Sequence, residues 1–165
     1  MVAGSDLSSL DDNQRSAPRN RFIGFVFQRY NLIPVLTALE NVMLPLQIQG
    51  ASMAAAHKKA LEHLDAVGLA AVASHRPDQM SGGQQQRVAV ARALINDPAL
   101  VIADEPTANL DSQTARQIID LMGEIHRRRG TTFIFSTHDQ RLLDRVDRRI
   151  QLKDGRIPAS QECQS

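Results

Sequence analysis

Cysteine is almost missing from this chain. Cys163 is the only one in 165 residues, so no disulfide can form within it. That usage fits a reducing compartment. Long apolar runs are missing too, and none approaches the roughly 20 residues that span a bilayer. The opening Met1-Val2-Ala3-Gly4-Ser5-Asp6 has neither the basic start nor the apolar stretch of a signal peptide. The expectation is a soluble chain, whose membrane role, if it has one, runs through a partner. An excess of one charge is the third absence: the formal net charge is +1, which gives no general attraction to nucleic acid or an acidic partner. Internal repeats and low-complexity segments do not occur. What is present is enough chain for one domain with a real core.

One run stands out, Met80-Ser81-Gly82-Gly83-Gln84-Gln85-Gln86-Arg87, leading into the helix-forming Val88-Ala89-Val90-Ala91-Arg92-Ala93-Leu94. Ser81 with Gln84 three residues later fits a capping box. Gly82 and Gly83 let another group approach the backbone closely, and the free N–H groups of a helix start attract anions. An ordinary capped helix after a turn fits Ser-Gly-Gly equally well.

Upstream of that run, residues 1 to 3 read as the end of a strand and 4 to 6 as a turn. A short helix is possible after Ser8 and Ser9. Phe22 to Phe27 reads as a buried strand ending on Gln28 and a polar loop. Thr37 and Glu40 form a second capping box, opening a helix that Pro45 is expected to end or kink. Ser52 caps the next helix, Met53 to Val67, whose Ala56, Ala60, Leu64 and Val67 recur at helical spacing before Gly68. Another turn or two fits Ala70 to His75, so residues 34 to 80 read as mostly helical.

Downstream, the helix from Gln84 stops at Asn96-Asp97-Pro98. Leu100 to Ala103 is a short apolar strand. Asp111 or Ser112 caps a long helix with Ala115, Ile118, Ile119, Met122 and Ile125 on one face, and Gly130 closes it. Arg127, Arg128 and Arg129 read as its solvated end, where cations complement the helix dipole, with a nucleic-acid patch as the alternative. Thr131 to Phe135 is the next strand, and a short helix covers Gln140 to Val146. Arg149 to Leu152 and Arg156-Ile157 flank a hairpin turn at Lys153-Asp154-Gly155. The tail from Pro158 reads as frayed. Strands alternating with helices at this spacing predict an α/β domain with a mostly parallel sheet.

Chemistry gathers at the strand ends. Asp104-Glu105 directly follows an apolar strand, and α/β sheets bind ligands beyond the carboxyl ends of their strands. There an aspartate can hold Mg²⁺, and a second carboxylate can orient an attacking water or accept its proton. A salt-bridged loop pair is the alternative. His138 follows the next strand, where a neutral imidazole could reach a γ-phosphate; a structural or merely exposed histidine is the alternative. Gln28 ends a third strand and says little by itself. The signal is the co-occurrence of these ends with a Ser-Gly-Gly helix start between the first two.

In that combination the chain, from Met1 to about Ile157, resembles the nucleotide-binding subunits of ABC transporters. Met80-Ser81-Gly82-Gly83-Gln84 resembles the family signature, whose first residue is usually leucine. Ala99 to Glu105 resembles Walker B with its catalytic glutamate. Ala108-Asn109-Leu110-Asp111 resembles the D-loop, Phe27-Gln28 the Q-loop, and Thr137-His138-Asp139 the switch histidine. Phe27 to Pro34, Leu36 to Val42 and His75-Arg76-Pro77 are similar to the lipoprotein-releasing and macrolide-export branch.

The resemblance implies a P-loop NTPase-like (RecA-like), mostly parallel sheet with an inserted helical subdomain. Residues 1–33 would be the remainder of the N-terminal part of the core, 34–80 the helical subdomain, 81–157 the signature helix and C-terminal half of the core, and 158–165 a tail. It also implies ATP and Mg²⁺, a second ATP-binding subunit in a head-to-tail homodimer, and a transmembrane permease. That permease would hold the chain on the inner face of the cell membrane; nucleic acid is not an expected partner. By the same resemblance Glu105 and His138 are catalytic, and Asp104 and Gln28 lie at the metal. Ser81, Gly82 and Gly83 reach the γ-phosphate across the dimer, Gln84 is a further cofactor-binding residue, and Asp111 lies at the seam. The permease's coupling helix would dock in a groove near Gln28.

One family element is missing. The P-loop, G-x-x-x-x-G-K-[ST], cradles phosphates with backbone amides and a lysine. Lys58, Lys59 and Lys153 are the only lysines, and none follows a glycine-rich loop. The family places that loop, and the aromatic that stacks on adenine, ahead of the Q-loop. The reading is a fragment that starts after the P-loop strand and helix, and not a pseudoenzyme, because Glu105 and His138 are both present. By resemblance the missing strand lies beside Leu100 to Ala103, so Leu100, Val101 and Ile102 are expected to lack packing and hydrogen-bonding partners. The chain alone is then expected to fold poorly and bind ATP weakly. Two other classes share parts of the pattern. One is a soluble ABC ATPase acting on DNA or ribosomes, against which the compact 34–80 region speaks. The other is a non-catalytic subunit that lends only its Ser81 face to an active partner.

Overall fold

Three parallel strands, β1 (Ile23–Val26), β2 (Leu100–Asp104) and β3 (Thr132–Ser136), form a sheet in the order β1-β2-β3. The computed structural model describes residues 20–153 and 155–157. The strand end and turn expected at residues 1–6, the short helix after Ser9, Asp154 of the hairpin turn and the tail from Pro158 lie outside the described residues. Register aligns Phe25 with Ile102 and Ile102 with Ile134. Because all three strands run the same way, Gln28, Glu105 and His138 leave the sheet at one edge.

Strand alternation sends Val26, Val101 and Ala103 to one buried face. Helices α3 (Gly82–Leu94) and α4 (Ser112–Arg129) cover it, with Val90, Ala93 and Leu94 of α3 and Leu121 and Ile125 of α4 in that core. A second core lies among α1 (Ala38–Ile48), α2 (Met53–Ala66) and the other side of α3, built on Val42, Ala60, Leu64, Val88 and Ala91. Helix α3 is therefore apolar around most of its circumference because both sides of it are buried. Short 3₁₀ turns lie at Ala70–Val72 and Pro77–Gln79, a single-turn helix, α5, at Gln140–Leu143, and residues 20–22 are helical just before β1.

The caps follow local chemistry. Thr37 with Glu40, and Ser81 with Gln84, close both bonds of a capping box. Asp111, not Ser112, caps α4: its carboxylate accepts from the Gln113 and Thr114 amides at 3.0 Å each. After α2, Gly68 N–H bonds Asp65 C=O and Leu69 N–H bonds Leu64 C=O, both at 2.8 Å. With Gly68 at φ 73° this is a Schellman ending, and Leu69 and Leu64 are both buried.

Four expectations change. Leu100 to Ile102 do not lack partners: β2 is the middle strand, hydrogen-bonded on both sides, and Val101 is fully buried. Among the described residues the free edges belong to β1 and β3, and the uncovered apolar surface is on the opposite face, where Ile134 is 54% exposed. Of the two outcomes expected at Pro45, an end or a kink, the end does not occur: α1 runs on to Ile48. A proline removes only the N–H that would bond Asn41 C=O, and packing against α2 and α3 holds the rest of the helix. The helix expected to reach Val146 stops at Leu143. Among the described residues the hairpin shrinks to one antiparallel bridge between Lys153 and Arg156, with no third strand there to support it.

A buried histidine joins the two cores. His63 Nδ1–H donates to Lys59 C=O at 2.9 Å, while Nε2 accepts from Arg129 Nη1 at 3.1 Å. Asp97 takes Lys59 Nζ at 2.6 Å and Arg129 Nη1 at 3.2 Å. Only neutral imidazole can both donate and accept in this way. Burial, the larger effect, and Arg129 hold its pKa below the ordinary 6.5, against the opposing Lys59 carbonyl and Asp97. A depressed histidine pKa stabilises the fold above 6.5, and that stability is lost as pH falls toward the folded-state value. The melting temperature should therefore fall between pH 7.5 and 5.5, and His63→Gln should flatten that part of the profile. A slope unchanged by the substitution would assign the effect to other groups.

Candidate functional site

Glu105 follows the last residue of β2 with φ 43°, a left-handed backbone that costs a non-glycine residue about 1–3 kcal/mol. Its N–H donates to Ser136 C=O at 2.9 Å, and its C=O accepts from Ala108 N–H at 3.2 Å. The turn this forces brings the carboxylate over the end of β3. There Oε1 takes a hydrogen bond from His138 Nδ1 at 2.6 Å and Oε2 one from Thr137 Oγ1 at 3.1 Å. Glu105 is 21% exposed and His138 86% exposed. The imidazole thus has one nitrogen on the carboxylate and its body in solvent.

Surrounding bonds fix both loops. Thr107 Oγ1, fully buried, donates to Asp139 Oδ2 at 2.6 Å, and Asp139 Oδ1 caps α5 through the Arg141 amide. The Arg141 guanidinium, helped by Thr107, holds the Asp139 carboxyl far below the usual carboxylate range. Buried Gln86 of α3 donates to Pro106 C=O at 2.7 Å, pinning the turn just after Glu105.

Asp104 ends β2 opposite Ser136, exposed, and its carboxylate makes no ion pair among the described residues. That is the condition a Mg²⁺ ligand has to meet. No group of three or more His, Cys, Asp or Glu could hold a metal among the described residues. The exposed Asp104 carboxylate is a single hard oxygen donor, the kind of protein ligand that suits Mg²⁺ when phosphates and water supply the rest. Gln28 is exposed at the same edge, and its C=O accepts from Asn109 Nδ2 at 3.0 Å.

At the start of α3, Ser81 Oγ accepts from Gln84 N–H at 3.3 Å and Gln84 Oε1 from Ser81 N–H at 2.9 Å, so the Gln84 side chain is committed to the cap. The two glycines also have reasons within the chain. A Cβ on Gly82 would sit 2.9 Å from the Tyr30 hydroxyl, and one on Gly83 would overlap the Thr114 methyl. Thr114 in turn donates to Asp111 Oδ2 at 2.5 Å, which holds the Asp111 carboxyl below its ordinary range.

Of the residues singled out by sequence, the fold brings Asp104, Glu105 and His138 together, with Gln28 tied in through Asn109. Ser81 to Gln84 and Asp111 form a second group around Thr114. No hydrogen bond joins the two groups directly among the described residues. Sequence reasoning missed Thr107, Gln86, Tyr30 and Arg92, and gave Thr137 no task of its own; single polar residues carry no periodicity. A recess of about 440 Å³ opens between Leu39, Glu40 and Met43 of α1, Met53 and His57 of α2, and Ala73, and Gln28 does not line it.

The family model described as ABC transporter matches residues 2–108. The lipoprotein-releasing system ATP-binding protein LolD of Anaeromyxobacter dehalogenans (strain 2CP-C) is 52% identical over 159 residues, which cover 96% of this chain and 66% of that protein. The chain thus spans just under two thirds of this relative. A dimeric structure of the ATP-binding cassette MJ0796 in a post-hydrolysis state, bound to ADP and Pi, superposes with a TM-score of 0.84 at 44% identity, covering 95% of this chain and 69% of that one. A second dimeric structure of MJ0796, a bacterial ABC transporter cassette, gives 0.80 at 46% identity, covering 90% and 66%.

Proposed function

The chain belongs to the ABC transporter ATP-binding family, and from that premise we propose that the complete protein hydrolyses ATP to power a membrane permease of the lipoprotein-releasing kind. The observation that carries this is the Glu105 carboxylate held between His138 and Thr137 at the carboxyl edge of a parallel sheet. A carboxylate anchored on both oxygens points in a fixed direction and is placed to orient a water and accept its proton. His138 is solvent-facing, and the imidazole edge not bonded to Glu105 is the one that would meet a γ-phosphate. Asp104 and Gln28 are the residues that would hold Mg²⁺. Mg²⁺, when bound, neutralises charge across the phosphates.

Ser81, Gly82 and Gly83 serve the partner's ATP in a head-to-tail dimer, and Asp111 lies at the seam; both MJ0796 structures are described as dimers. Residues 34–80 act as the helical subdomain. The permease docks beside that subdomain in the groove near Gln28, next to the exposed Val35, and so holds the protein at the inner face of the membrane.

The test is the Mg²⁺-dependent ATPase rate of the complete protein, alone and with its permease in a bilayer. Hydrolysis that rises with the permease and ignores DNA and ribosomes is the expected result. No hydrolysis in the presence of the permease would rule the proposal out.

A further inference from the structure

Arg92 lies six residues beyond Gln86 on α3, and its guanidinium faces two backbone carbonyls. Among the described residues it forms no ion pair. Nη1 donates to Asn31 C=O at 2.5 Å and Nη2 to Tyr30 C=O at 2.7 Å. Burial disfavours its charge, and a desolvated cation without an anion is a costly feature unless the carbonyls that replace water are fixed in place.

They are fixed, and unusually so. Tyr30 and Asn31 both have left-handed backbones, at φ 61° and 47°, in the turn directly after Gln28. Two successive left-handed residues, neither of them glycine, need outside support, and the forked guanidinium bridges their two carbonyls. The same Tyr30 touches α3 again at its start, where its hydroxyl lies over Gly82. Asn109 holds the turn from a third side through Gln28 C=O.

We propose that Arg92 is a positioning residue that welds the Gln28 turn to the signature helix, so that displacement of the turn moves Gly82 with it. The inference rests on reading the complete protein as a permease-driven ATPase, and it adds the route by which the permease-facing loop reaches the glycine that serves the partner's ATP. Arg92 acts through the Tyr30 and Asn31 carbonyls that it holds.

The experiment compares wild type, Arg92→Lys and Arg92→Met in the complete protein with its permease in a bilayer. It reads the melting temperature, KM for ATP, basal and permease-stimulated kcat, and amide hydrogen exchange. A lysine ammonium keeps the charge but lacks the fork that spans two carbonyls. Arg92→Lys should keep its melt and KM while permease stimulation falls about tenfold, within the usual range of coupling between sites. Exchange should speed up both at residues 29–31 and at residues 82–84. Wild-type stimulation in Arg92→Lys would overturn the proposal. So would an equal loss of basal and stimulated rates, or exchange confined to residues 29–31. If Arg92→Met does not fold, Arg92→Lys decides. If the wild-type protein shows no stimulation, the functional reading fails, and the exchange pattern still decides whether the turn and Gly82 are welded.

Discussion

Glu105→Gln in the complete protein is expected to lower steady-state ATP turnover by roughly 10²–10⁴-fold, the usual contribution of a positioned general base. ATP should stay bound and the ATP-bound dimer should accumulate. The substitution keeps size and shape but removes the basic oxygen and one acceptor. In the present geometry both carboxylate oxygens accept, one from His138 Nδ1 at 2.6 Å and one from Thr137 Oγ1 at 3.1 Å. A glutamine offers one carbonyl oxygen and one NH₂ group. Either the threonine hydroxyl turns to accept or the histidine changes tautomer, and both adjustments are local. The backbone is held independently by Ser136, Ala108 and, through Pro106, Gln86, so the fold should be unaffected. Single-turnover hydrolysis with size-exclusion analysis of the ATP-loaded protein measures both consequences. Unchanged steady-state hydrolysis would remove Glu105 from the proposed role.

Gly24→Ala should have the largest effect on stability, about 3 kcal/mol, at the upper end of what overpacking costs. For a domain of this size that corresponds to a fall of roughly 6–12 °C in melting temperature. Gly24 sits in β1 opposite Val101, and a Cβ there would overlap the carbonyl carbon and oxygen of Ala93 in α3. The obstacle is helix backbone, which no rotamer change can clear. Relief requires α3 to move off the sheet, opening the core that Val26, Val90 and Val101 share. Gly123 in α4 is the control. A Cβ there meets only the Arg127 Nη1 at 3.5 Å, an ordinary contact. Gly123→Ala should be neutral or stabilising by up to about 1 kcal/mol, because glycine is a poor interior helix residue. Equal melts for the two variants would mean that the β1–α3 approach is looser than it is here.

Much of both fold and site was legible in the sequence because it was local. Thr37 with Glu40, Ser81 with Gln84, Asp111 and Gly130 marked helix ends, and each bond they make lies within a few residues. The apolar periodicity of Met53 to Val67 and of Ala115 to Met122 named the buried faces. Asp104-Glu105 and His138 were conspicuous for following apolar strands, and a parallel sheet necessarily carries such ends to one edge.

Strand order was another matter. Nothing along the chain says that Leu100–Asp104 lies between its two neighbours, because order is set by which faces of α3 and α4 must be buried. For that reason the open edges among the described residues fall on β1 and β3 and not on β2. Pro45 stayed inside a helix for a related reason: packing outweighed one lost hydrogen bond. The sequence by itself determined where each element starts and which residues carry charge to the strand ends, since those depend on neighbours a turn or a strand apart. Only the tertiary structure decided that Glu105 is gripped on both oxygens, that Gln86 pins its turn, and that Arg92 reaches back 61 and 62 residues to two carbonyls. Those bonds join residues that share no pattern in the chain, and only packing brings them together.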